Sequence, residues 1–175
     1  MIPLAVNIIV GTNSYISVSD ADAYFNLRLF SEVWTAAPED TKAQALIMAT
    51  SRIDRLTLKG KKVNTDQKLK FPRAFYNAAK FNPNDINDAQ QYIKSNYGWL
   101  TESDIPDAVK NATCEEAVAL LKGIPKRVEL QHQGVQSFSL AYALSETYTG
   151  KKIKLLSPDA LDLMRPYILG GASIV

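Results

Sequence analysis

Two stretches of this chain are bracketed as helices are, with a proline in front, a glycine behind, and apolar residues at helical spacing between. The stronger begins at Ile105-Pro106 and runs to Lys122, with Gly123 as its stop. Val109, Ala112, Ala117, Leu120 and Leu121 form its apolar face, and its many alanines permit close approach of a second helix. The other begins at Ala37-Pro38-Glu39-Asp40, where two acids suit the positive end of the helix dipole. Its Leu46, Ala49, Ile53 and Leu56 define one buried face, Arg52, Arg55 and Lys59 lie on or beside the opposite face, and Gly60 is expected to end it. Two such helices in 175 residues, with 46% apolar and 22% charged content, predict one mainly α domain with a real core.

The other elements are smaller. Residues 1–18 read as an apolar extended arm with a turn at Gly11-Thr12-Asn13 and a short extended piece at Tyr15-Ile16-Ser17-Val18. Residues 1–10 lack the cationic start and small-residue cleavage site of a signal peptide. Ser19 reads as an N-cap with Asp22 completing the box, opening a helix over Asp20–Glu32. Ala23, Tyr24, Leu27, Phe30 and Trp34 would share its apolar stripe. Residues 77–104 are rich in Asn, and a short helix over 84–95 fits there. After Arg127 the period changes to alternation, and Val128, Leu130, Val135, Phe138, Leu140 and Tyr142 suggest a β-hairpin turning at Gln131-His132-Gln133-Gly134. Ser157-Pro158-Asp159 caps a last helix carrying Leu161, Met164 and Tyr167-Ile168, followed by a small tail. The fold class is therefore a small helical bundle with a β-hairpin and extended terminal arms. It divides into an arm at 1–18, a helical core at 19–123, a hairpin at 127–149, and a helix with tail at 158–175.

The charge is uneven. Between Arg52 and Lys80 there are nine Lys/Arg against two acids, in a chain whose net charge is only +2. Arg52, Arg55, Lys59, Lys61, Lys62, Lys70 and Arg73 are candidate contacts for DNA or an acidic partner. The same lysines, following a helix C-terminus, would also complement its dipole and keep the surface soluble. Phe71, Phe75, Tyr76 and Phe81 interleave with the cations, as in single-strand readers. Phe71-Pro72 is expected to anchor the loop in the core instead, while Phe75 and Tyr76 stay open between the two roles.

The search for reaction chemistry finds little. One histidine, His132, is expected to be exposed in the hairpin turn, and the single cysteine, Cys114, to be a small buried thiol. The carboxylate groups at Glu39-Asp40, Asp85/Asp88, Glu102/Asp104/Asp107 and Glu115-Glu116 mostly sit near helix starts, where the dipole accounts for them. No glycine-rich phosphate loop is present, since Gly170-Gly171 follows a helix rather than preceding one. Neither catalytic residues nor metal or cofactor ligands are assigned. No apolar run approaches the roughly 20 residues that span a bilayer, so no membrane partner is expected.

Three ordered pieces carry a resemblance. They are Asn13-Ser14-Tyr15-Ile16-Ser17 with Asp20-Ala21-Asp22-Ala23-Tyr24-Phe25, then Lys59-Gly60 leading to Gln67-Lys68-Leu69-Lys70-Phe71-Pro72-Arg73, and Ile105-Pro106-Asp107-Ala108-Val109-Lys110 with Ala112-Thr113-Cys114-Glu115. Together they resemble small proteins of tailed-phage structural modules, often labelled DnaT-like single-stranded DNA-binding proteins and similar in role to head–tail adaptor (head-completion) proteins. The resemblance spans residues 8–145, with 74–103 as an insertion. It implies a bundle assembled as a homo-oligomeric ring, commonly twelvefold. That ring would dock on a portal protein, meet a stopper or tail-completion protein, and touch packaged DNA non-specifically. The chain would then lie at the head–tail junction of a virion assembled in the host cytoplasm. The tail Leu169, Gly170, Gly171, Ala172, Ser173, Ile174 and Val175 is the candidate portal-docking segment. The alternative is a single-stranded DNA-binding module using the basic 52–80 surface.

Overall fold

The computed structural model describes residues 6–76, 99–125, 129, 137–140, 144–147 and 155–169. The fold is mainly helical, with α1 (Val18–Asn26), α2 (Glu32–Thr35), α3 (Glu39–Asp54), α4 (Asp107–Leu121) and α5 (Pro158–Met164). A three-stranded antiparallel sheet joins β1 (Lys61–Lys62), β2 (Arg73–Tyr76) and β3 (Trp99–Thr101), and a hairpin pairs β4 (Ser137–Leu140) with β5 (Leu144–Thr147).

The two bracketed segments form the spine. α4 packs along α3 on one side and α5 on the other. Its Val109 and Ala112 join Ile53, Leu56, Phe71 and Met164 in one core cluster. Cys114, Ala117 and Val118 join Leu46, Ala49, Phe25 and Trp34 in a second. Leu46, Ala49, Ile53 and Leu56 are all buried, as their spacing predicts. Burying each large aliphatic side chain is worth about 1.5–3 kcal/mol, so this shared face dominates the stability of the spine. Cys114 is fully buried beside these residues, and burial pushes its thiol well above the usual range. Gly123, with φ of 86°, stops the chain after α4 as its sequence suggests.

Several boundaries differ from the sequence reading. The N-cap of α1 is Ser17 rather than Ser19: its Oγ accepts the Asp20 N–H at 3.1 Å and donates to the Asp20 carboxylate at 2.6 Å. The helix expected to reach Glu32 stops at Asn26, and α2 begins only at Glu32. The indole of Trp34 explains the break. Its N–H donates to Asp22 at 2.7 Å and its ring packs 4.8 Å from Phe25. In an unbroken helix the twelve residues from Asp22 to Trp34 would hold those two about 18 Å apart. Folding back leaves Leu27 and Phe30 exposed; of the expected stripe Trp34 is buried and Tyr24 partly so, and Ala21 and Phe25 complete the buried set.

α3 likewise ends at Asp54, not at Gly60. A tighter turn (Leu56 N–H to Ile53 carbonyl, 3.0 Å) follows, and Gly60 serves a later bend with φ of 72°. The bases of α3 do not share one outer face, for Arg52 is directed at α4. The segment expected to be a cationic loop contributes β1 and the start of β2. In the hairpin, Ser137 pairs with Thr147 and Leu140 with Leu144, so Phe138 and Leu140 lie in its first strand rather than its second, and the turn expected at 131–134 lies outside the described residues. The Glu129 N–H donates to the Pro125 carbonyl at 3.1 Å, a helical bond where a strand was expected. α5 is capped by Ser157, whose Oγ accepts the Ala160 N–H at 3.1 Å; Met164 is buried, but Leu161 is 37% exposed. The short helix at 84–95, His132, Phe81, residues 1–5 of the N-terminal arm and the tail beyond Leu169 lie outside the described residues.

Candidate functional site: the basic corner and the surfaces beside it

The basic stretch is a corner closed from within. Phe71 is 1% exposed and sits edge-on to Tyr15 and Tyr167, with centroids 5.7 and 5.2 Å away, so it anchors the loop as expected. The Phe71-Pro72 peptide bond is cis. Phe75 lies partly buried, 6.1 Å from the Tyr167 ring. A stacking role for interleaved aromatics therefore has little free ring surface to use at Phe71.

Arg73 lies behind this anchor, 6% exposed. Its Nε donates to the Lys59 carbonyl at 2.6 Å, and its terminal nitrogens reach the carbonyls of Gly60 at 2.6 Å and Lys70 at 3.2 Å. The planar guanidinium thus gathers the carbonyls of a bend that has left its helix. Burial lowers its pKa from the ordinary range, while Tyr15, Glu102 and Asp54 oppose that shift. Gly60 fits beneath because it has no side chain: a Cβ there would lie 2.2 Å from the Ala74 carbonyl oxygen.

Other cations of the stretch also turn to the backbone. Lys70 Nζ donates to the Leu56 carbonyl at 2.9 Å, Lys62 Nζ to the Gln67 carbonyl at 2.8 Å, and Lys59 Nζ to the Pro166 carbonyl at 3.0 Å. Gln67 braces the same corner by donating to the Leu69 and Pro72 carbonyls at 2.9 and 3.0 Å. The Lys70 N–H and the Tyr15 hydroxyl both donate to the Asp54 carboxylate. Burial raises the Asp54 pKa even though these donors favour its ionised form, and burial beside Asp54 raises that of Tyr15. Arg55 and Lys68 are exposed, as is Lys61 in β1.

Arg52 has a different task. Its Nε lies 2.6 Å from Glu116 Oε1, although the N–H is not directed along that line. Glu116 is fully buried, and its carboxylate also accepts the N–H groups of Leu156 and Ser157, each at 2.9 Å at the nearer oxygen. One buried acid thereby ties α3, α4 and the start of α5 together. Its neighbour Glu115 accepts from the Tyr24 hydroxyl and from Arg28, both at 2.6 Å. Sequence reasoning missed this pair by assigning such acids to helix starts. Two carboxylates in the middle of an apolar helical run were the available signal.

Other surfaces lie beside this corner. Glu102, Asp104 and Asp107 come together with Val10, Pro72, Ile105, Pro106 and Lys110 around an open groove of about 900 Å³. Glu102 also accepts the Arg73 main-chain N–H at 2.9 Å, and burial raises its pKa. On another side, the turn between α1 and α2 exposes Leu27, Leu29 and Phe30. At the C-terminal end, the Leu169 N–H donates to the Thr57 carbonyl at 2.9 Å and Ile168 bridges to Leu58, fixing the root of the candidate docking tail. Among the described residues there is no group of three His, Cys, Asp or Glu able to hold a metal ion, and no helix long and apolar enough to cross a membrane.

The profile of a protein family described as "putative DnaT-like ssDNA binding protein" matches residues 5–174. No curated protein and no solved structure matches the chain.

Proposed function

This chain belongs to that DnaT-like family, and we propose that within it the chain works as an assembly component, the head–tail adaptor of a tailed phage. In this reading copies form a ring, twelvefold as the resemblance implies, that docks on a portal protein and joins capsid to tail around the DNA channel. It would lie in the virion and meet a stopper or tail-completion protein on its other side. One observation carries the proposal. The cations most suggestive of a nucleic-acid reader spend their donors on their own backbone, led by Arg73, while large apolar side chains at Leu27, Leu29 and Phe30 face outward. A surface of that kind favours protein contacts over phosphate contacts.

The test combines mass measurement with binding. The purified chain, mixed with portal particles, is expected to add a ring of density in electron micrographs. Fluorescence anisotropy should detect little affinity for a free oligonucleotide at physiological salt. Removing residues 170–175 should weaken portal docking without unfolding the chain.

A second reading keeps the family's descriptive name, with Arg55, Lys61 and Lys68 as exposed phosphate contacts. It predicts tight binding of single strands by an isolated monomer, with affinity falling steeply as salt rises. That result, with no portal binding, would overturn the adaptor proposal.

A further inference from the structure

We infer that the α1–α2 turn is a preformed knob by which one copy of this chain grips the next, its seat being the groove around Val10 and Ile105-Pro106 on a second copy. This inference rests on the ring reading above and names the contact that would build the ring.

The knob is apolar where it should be wet. Leu27, Leu29 and Phe30 are 90%, 85% and 78% exposed, three large side chains within four consecutive positions. Scattered surface apolar residues need no explanation, but a clustered projection marks an interaction surface. Its backbone is also held in an unfavourable form. Phe30 has a φ of 59°, a left-handed conformation that bulky residues rarely adopt unless their surroundings enforce it. The enforcement is visible on both flanks. Arg28 reaches Glu115 at 2.6 Å, and Trp34 is fixed to Asp22 and Phe25. A rigid projection loses little conformational freedom on binding, which favours its use as an anchor.

The groove offers the complementary chemistry. Val10, Pro72, Ile105 and Pro106 supply apolar surface, and Val10 is 49% exposed. Its ionisable residues are Glu102, Asp104, Asp107 and Lys110, a net negative set, whereas the only ionisable residue in the knob segment 26–31 is Arg28, which stays 44% exposed while paired with Glu115. The acids also disfavour a nucleic acid in the groove. The knob is moored to Glu115 while the groove opens at Asp107 and Lys110, and the two patches share no residue. Contact between them is therefore heterologous: each bound copy still presents one unused knob or groove, as a closed ring requires.

Cross-linking tests this directly. Asn26→Cys copies, which keep the knob's apolar side chains, are mixed with differently tagged Asp104→Cys copies under mild oxidation, the native Cys114 being buried. The expected result is a disulfide-linked heterodimer in the mixture and none with either variant alone. An Asn26→Cys homodimer would mean a back-to-back contact and overturn the inference. Rings of the unmodified chain, seen by mass measurement, without cross-linking in the mixture would overturn it while leaving the ring reading intact. A chain that stays monomeric even with portal particles removes the ring reading and this contact with it. As a second measurement, Phe30→Ser should keep the helical circular-dichroism spectrum and melting behaviour yet weaken self-association at least tenfold. If it instead lowers oligonucleotide affinity and leaves association unchanged, the exposed ring stacks on bases and the inference fails.

Discussion

The Lys59–Arg73 stretch and the Leu27–Ser31 turn are both connections that leave a helix, and they dispose of their side chains in opposite ways. In the first, cations bend inward and donate to main-chain carbonyls around a buried ring. In the second, leucines and a phenylalanine point outward from a backbone pinned by ionic and aromatic contacts beneath. Local polarity would assign these surfaces the other way round. What decides is backbone hydrogen bonding. A bend after a helix exposes carbonyls that must be paired, and long cationic side chains can reach them. The shorter turn already makes its own bonds, such as Leu27 N–H to Tyr24 carbonyl at 3.3 Å, and leaves its apolar side chains in water.

The largest effect should come from the cation farthest from that polarity rule. Glu116→Ala would leave Arg52 without its partner and two main-chain N–H groups unpaired, and should lower stability by about 4 kcal/mol in urea unfolding. Loss of less than about 1 kcal/mol would mean that Arg52 is held by solvent, and that the inward pattern ends at Lys59. Next, Gly60→Ala adds a Cβ against the Ala74 carbonyl at positive φ and should cost about 3 kcal/mol. The matching change Gly11→Ala, with open space around the Cβ, should cost only about 1 kcal/mol.

Arg73→Met should lose about 2–3 kcal/mol, measured by thermal or urea unfolding, because several carbonyls lose a charged donor. Arg55→Met, at an exposed position, should change stability by less than about 0.5 kcal/mol. Equal effects would erase the distinction between buried and exposed cations of one stretch. The pH dependence sharpens it further. Burial raises the Asp54 pKa, so in the window between its unfolded and folded values the folded state binds more protons. Asp54 therefore contributes a loss of stability as pH rises through that window. Asp54→Asn removes this contribution, so urea midpoints from about pH 4 to 7 should show the variant gaining on the parent as pH increases. Smallest of all, Leu29→Ser should change unfolding stability by less than about 0.5 kcal/mol, since the side chain it removes is already in water.

How much of this was legible depends on the range of the forces involved. Pro106 to Gly123 and the Leu46–Leu56 repeat express local rules, capping and helical period, and both appear as read. Phe71 as an anchor was readable too, because an aromatic before proline has few alternatives. The break at Leu27 was not, since it depends on Trp34 meeting Asp22 and Phe25 across a fold-back that periodicity cannot register. β1 and β3 have two and three residues, too short for alternation to stand out. At the candidate site, sequence correctly concentrated the bases but could not tell which way each one turns. Arg52, Lys59, Lys62, Lys70 and Arg73 take internal partners, which only the tertiary path of their carbonyl and carboxylate acceptors decides.

The clasp between the chain's last described residues and the bend after α3 has a mechanical meaning. Leu169 and Tyr167 bond to Thr57 and Lys59, while the carbonyls of Lys59 and Gly60 hold Arg73. A pull on whatever follows Leu169 is borne first by two peptide hydrogen bonds and then by the guanidinium knot one residue away. The molecule thus has a short load path from its C-terminal segment to its basic corner, and traction at one end would be felt as slack or tension at the other.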